Sequence, residues 1–153
     1  EVLTVWFPLN EATVENGCLQ IIPGSHRRGL HTHCPGHTGG LRIPEQFMAL
    51  ESAMPVPMQP GDVLFLTQHT IHGSLANESD DLRWSFDLRY NPIGQSSGRD
   101  LFPGFVARSK ADPASVLRDP VAWEKLWRDT RDRLAREEYV PFNRWSADAP
   151  VCA

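Results

Sequence analysis

A chain of 153 residues, 41% hydrophobic and 22% charged, is large enough to bury the core of one domain. Its net charge of −4 excludes the basic footprint of a nucleic-acid or anionic-membrane partner, and no apolar run is long enough to span a bilayer. Three cysteines, Cys18, Cys34 and Cys152, show no paired spacing, which argues against a disulfide framework and makes a reducing cytoplasm the expected location.

In chain order, VLTVWFPL (Val2 to Leu9) is a β-branched and aromatic run that predicts a central strand. The sequence has no initiator methionine and enters this strand at once, so an N-terminal part is expected to be missing. A polar connection, Glu11 to Gly17, leads to a second short strand, Cys18 to Ile22, ended by Pro23-Gly24. The loop over residues 27–40 holds His31, His33, Cys34 and His37 among glycines and is too polar for core. Residues 44–54 are open to a short helix or a long excursion, and Pro55 and Pro57 then force extension.

The stretch from Met58 to Tyr90 carries the densest pattern. A turn at Gly61-Asp62 precedes an apolar run, Val63 to Thr67, of the kind a buried strand has. Gln68, His69, His72 and Ser74 then place polar groups where that strand closes, and Asn77 to Asp81 forms a turn capped by Asn77. From Arg83 the chain alternates, with Arg83, Ser85, Asp87 and Arg89 on one face and Trp84, Phe86, Leu88 and Tyr90 on the other. A simple hairpin would pair His72 with Arg83 across two strands. Two such groups together ask for a metal on the neutral imidazole and an anion on the guanidinium, with Ser74 and Ser85 as extra donors.

Beyond Tyr90, residues 91–104 are turn-rich and read as a flap or wrapped surface segment. The tail is helical: Asp112-Pro113 and Asp119-Pro120 each place an N-cap aspartate before an N1 proline. Trp123, Leu126, Trp127, Thr130 and Leu134 fall on one stripe that is expected to pack against a sheet, with Phe142 and Trp145 as further anchors.

Three blocks, TVWFPLNEATVENGCLQIIPGSH, QPGDVLFL and IHGSLANESDDLR, resemble the C-terminal half of the phytanoyl-CoA dioxygenase family in order and spacing, over Leu3 to Tyr90. The helical tail resembles bacterial relatives more weakly. The family resemblance implies a double-stranded β-helix (jelly-roll, cupin-like), mainly β with a helical tail. It makes residues 1–153 one domain, incomplete at its N-terminus, with core and loops at 1–105 and the tail at 106–153. It also implies an oxygenase using Fe(II), 2-oxoglutarate and molecular oxygen to hydroxylate a small organic or acyl substrate. Carried over by position, His72 matches the distal histidine of the iron site and Arg83 the arginine that takes the far carboxylate of 2-oxoglutarate. Ser74 and Trp6 match cosubstrate-pocket positions, and Ser85 resembles the serine of an arginine-x-serine pair. Cys18 and the PGSH turn are architectural, with His26 near the mouth of the site.

One departure is large. The family's first iron ligands come as a His-x-Asp or His-x-Glu pair, and no such pair occurs in this sequence. The expectation is that the pair lies upstream and that these residues alone bind iron poorly and turn over little. Two rivals stand beside the enzyme: a non-catalytic cupin-like ligand-binding module, and a structural zinc module drawing on His26, His31, His33, Cys34 and His37.

Overall fold

The computed structural model describes residues 1–36, 40–98, 101–137 and 150–152. His37, Phe142 and Trp145 lie outside the described residues. The chain divides into two compact units, Glu1–Tyr90 with Arg144–Ala153, and Asn91–Asn143. The described structure is mainly β with one α-helix, and no described helix is long and apolar enough to cross a membrane.

Among the described residues the first unit carries eight strands: β1 (Leu3–Pro8), β2 (Leu19–Ile21), β3 (Cys34–Pro35), β4 (Leu41–Arg42), β5 (Met54–Val56), β6 (Leu64–Thr67), β7 (His72–Ser74) and β8 (Ser85–Tyr90). They form two antiparallel three-stranded sheets, β6-β1-β8 and β5-β2-β7, and a small β3-β4 pair. The strands begin and end close to where the alternating and apolar runs predict. Their partners differ. The stretch from Val63 to Ser74 is not one strand closed by His72, because Thr70 N donates to Thr67 O in a turn and β7 then joins the other sheet. Arg83 and Trp84 precede β8 rather than opening it, and β7 and β8 belong to different sheets, so no hairpin pairs His72 with Arg83.

Register partners share a sheet face, which places Trp6 with Leu64 and Asp87 on one sheet, and Leu19 with Val56 and Ser74 on the other. Trp6, Ala12, Cys18, Leu19 and Met58 form the core between these faces, with Val56, Leu64 and Leu75 packed against it. The opposite face of the β1 sheet stays open to solvent: Phe65, Phe86 and Tyr90 are all exposed, which leaves the large face of the alternation outside the core. Asn77 does cap its turn, its Oδ1 accepting from Ser79 N at 2.9 Å.

Cys34 and Cys152 form a disulfide across 118 residues of sequence, with their Cα atoms 5.4 Å apart. This corrects the expectation of unpaired cysteines. Sequence spacing says nothing about two positions brought together only by the fold, and cysteine usage no longer argues for a reducing compartment. Cys18 is a free, buried thiol.

In the second unit, helix α1 (Pro120–Leu134) begins as its sequence dictates, with Asp119 accepting from Val121 N at 2.9 Å ahead of Pro120. The Asp112-Pro113 signal opens only a 3₁₀ turn, Pro113–Ser115. Lys125–Asp129, Arg128–Glu124 and Arg133–Glu137 are ion pairs at helical spacing. The aromatic stripe is not core: no residue of α1 is buried, and Trp123 and Trp127 keep 45% and 40% of their surface. Phe102 packs on Trp127 with ring centroids 6.2 Å apart.

Candidate active site

Arg83 is the centre of the polar arrangement between the sheets. Its Nε donates to Gly17 O at 2.8 Å, its Nη1 to Ser85 Oγ at 3.0 Å and its Nη2 to Ser74 Oγ at 3.0 Å. Its Cζ lies 5.5 Å from the centroid of the Trp6 ring, within cation–π range. The guanidinium therefore bridges β7 of one sheet and β1 and β8 of the other. Four residues named from sequence, Arg83, Ser74, Ser85 and Trp6, are brought together. Trp6 serves twice, since it is 4% exposed and also belongs to the core cluster. No carboxylate among the described residues lies within 4.0 Å of Arg83. Asp87, on the same face of β8, is paired with Arg89 instead. The positive charge is thus held by neutral acceptors, which orient it without neutralising it.

Two residues absent from the sequence reading fix this geometry. Asn10 brackets the arginine: its Oδ1 accepts from Trp84 N and its Nδ2 donates to Leu82 O, both at 2.7 Å. Gly17 has φ +82°, and a Cβ there would come within 2.8 Å of Leu75 O. Only glycine can therefore present this carbonyl to Arg83 without displacing the chain. Its turn is braced by Asn16, whose Oδ1 accepts from Thr13 N and whose Nδ2 donates to Glu11 O, each at 2.8 Å. Glu15, in the same turn, has its carboxyl held below the usual range by its own backbone amide and the Thr13 hydroxyl. For Gly17 and its bracing turn the sequence signal was the polar Glu11–Gly17 connection, and Asn10 lies just outside it.

His72 sits on the same face of its sheet as Ser74, two residues on, and is exposed. Its Nδ1 lies 2.8 Å from Thr70 O. A carbonyl can only accept, so Nδ1 carries the proton in this bond and Nε2 is the ring nitrogen left to coordinate a metal. The preceding residue is anchored by the PGSH turn, where buried Ser25 Oγ accepts from Ile71 N at 2.9 Å. His26 is exposed and lines neither of the two cavities beside His72.

The larger cavity, about 400 Å³, runs from His72 along β2 to the 41–50 segment. The smaller, about 130 Å³, is lined by His31, His33, His69 and His72. These imidazoles do not converge, since no three metal-ligating side chains among the described residues are placed to hold one ion. His33 Nδ1 lies 2.8 Å from His31 O, and His31 stacks on Phe47. Cys34 is committed to its disulfide, which removes the thiolate from the proposed zinc set.

Residues 1–85 match the family model described as phytanoyl-CoA dioxygenase (PhyH). The chain belongs to the phytanoyl-CoA dioxygenase family. Among this family's relatives, the methylphosphonate hydroxylase of Gimesia maris is 34% identical over 125 residues, covering 81% of this chain and 44% of that protein. The 1-deoxypentalenic acid 11-beta-hydroxylase of Streptomyces arenae is 35% identical over 105 residues, covering 62% and 37%. Among solved structures, EvdO2 from Micromonospora carbonacea var. aurantiaca complexed with 2-oxoglutarate is similar at 32% identity and a TM-score of 0.53, over 57% of this chain and 37% of that one. The non-heme monooxygenase ThoJ, 20% identical, shares the fold at a TM-score of 0.57 over 88% of this chain and 54% of its own. The chain spans less than half the length of the two hydroxylases.

Proposed function

We propose that this chain is the cosubstrate-binding part of an Fe(II)- and 2-oxoglutarate-dependent oxygenase acting on a small molecule with molecular oxygen, built on a double-stranded β-helix. The strand order supports that fold, because successive strands β5 to β8 alternate between the two sheets. The observation that carries the function is Arg83, a guanidinium fixed by three neutral acceptors with no carboxylate of the described residues within 4.0 Å. The donor set fits the far carboxylate of a dicarboxylic acid, with Arg83 supplying the charge and the Ser74 and Ser85 hydroxyls completing the cradle. For the metal, the residues fit in part: His72 has a ring whose tautomer is set and whose Nε2 is available. The other two ligands of a facial triad would come from outside these 153 residues, since the sequence holds no His-x-Asp or His-x-Glu pair.

Bound iron supplies oxidation of a substrate C–H bond by molecular oxygen, coupled to oxidative decarboxylation of 2-oxoglutarate. The chain's own share is positioning. Arg83 and the two serines orient one end of the cosubstrate, Trp6 walls the guanidinium from below, and Thr70 holds the His72 ring in one tautomer.

The test uses a chain that also carries the His-x-acid pair. Replacing Arg83 by Ala removes a charge-assisted contact of about 1.5 to 3 kcal/mol and so raises the 2-oxoglutarate requirement roughly tenfold to a hundredfold. Wild-type cosubstrate dependence in that variant would show that the arginine serves another purpose. His72→Ala is expected to abolish substrate-dependent succinate formation, and unchanged turnover would sink the assignment. The missing pair favours one second reading, a non-catalytic binding module. It predicts 2-oxoglutarate binding that is indifferent to iron even when the upstream segment is present.

A further inference from the structure

We propose that the larger cavity beside His72 takes a substrate with an apolar body and one anionic group, and that Arg42 is the residue that fixes the anion. The inference rests on the oxygenase reading, because that reading makes His72 the reacting end of the cavity.

The size suits a small molecule: about 400 Å³ lies within the range of ligand sites. Most of the wall is aliphatic. Ile21, the register partner of His72, lines it together with Ile22, Ile43, Met48 and Ile71. Such a wall holds a hydrocarbon skeleton by burial but gives it no direction. Direction has to come from the charged groups, and the wall carries two, Arg42 and Glu45.

Arg42 is placed by a braced element. It lies on β4 opposite Cys34 of β3, and Cys34 is tied covalently to Cys152. Its side chain is not neutralised by the wall: among the described residues no carboxylate lies within 4.0 Å, Glu45 included, although Glu45 is only three positions on. Arg83 plays no part here, since it does not line the cavity. The two arginines therefore address two different anions. Arg83 addresses the cosubstrate, and Arg42, on the cavity wall, addresses the substrate. The Glu45 carboxylate on the same wall disfavours a second negative charge, so the fitting ligand is a monoanion.

Octanoate and octanamide serve as probes, differing in charge and little in shape, with binding to the full chain measured by titration calorimetry. Octanoate is expected to bind about tenfold tighter than octanamide, as a charge-assisted contact requires. In Arg42→Gln that advantage should vanish, and in Arg42→Lys part of it should remain. Equal binding of the two probes by the wild-type chain, or binding of neither, would overturn the proposal. So would an equal loss in Glu45→Gln, since removing that carboxylate should not weaken an anion that Arg42 holds. Titration with iron(II) and 2-oxoglutarate, in a chain that also carries the His-x-acid pair, separates the two levels. If it binds while the probes are not distinguished, the assignment of Arg42 fails and the oxygenase reading stands. If it does not bind while octanoate is preferred, the oxygenase reading fails and the cavity remains an anion site.

Discussion

Arg83 owes its position to residues that were silent in the sequence. The side chain of Asn10 holds the backbone on both sides of it, through bonds spanning 72 and 74 positions. In Asn10→Ala both bonds are lost, and 2-oxoglutarate affinity is expected to fall about tenfold, each bond contributing on the order of 1 kcal/mol to holding the guanidinium in place. Calorimetric titration checks this; a lower melting temperature with unchanged affinity would make Asn10 a structural residue only. His72, Ser74 and Arg83 were legible because they fall at recognisable positions of one block, and Ser85 through its arginine-x-serine spacing. Asn10 and Gly17 were not, because what they contribute is an amide bracket and a carbonyl at a special φ. Neither leaves a period or a spacing in the sequence, and both acquire meaning only when segments dozens of residues apart meet.

At the scale of elements, composition and alternation located β1, β2, β6 and β8 to within a residue or two, since period-two burial is written in the residues themselves. Their pairing was not written there. A turn such as 77–81 reads equally well as a hairpin or as a crossing between sheets, and the deciding quantity is which face each strand buries. The helix shows the converse. Its start is local chemistry and was fully legible, whereas the fate of its aromatic stripe depends on what lies against it. The local part is testable: Asp119→Ala removes the cap on Val121 N and should destabilise α1 by about 1 kcal/mol. Faster hydrogen exchange at the first-turn amides is the expected sign, and unaltered exchange there would show that Pro120 alone sets the helix start.

For the whole molecule the disulfide has the longest reach. It closes a loop of 118 positions, and in a chain-entropy account a loop of that size contributes roughly 4 to 5 kcal/mol. Reduction, or replacement of Cys34 or Cys152 by Ser, should lower the denaturation midpoint by a corresponding amount, the two variants agreeing with each other. A midpoint insensitive to phosphine reductant would mean that the two sulfurs are not joined in solution. The meeting at Arg83 has a different kind of reach. Trp6, Gly17, Ser74 and Ser85 come from four separate segments and share one cation, so a change at any of them alters what the others contribute. Substitutions there are coupled rather than additive. Changing which anion this cation accepts would therefore require several of these positions to change together, rather than one at a time.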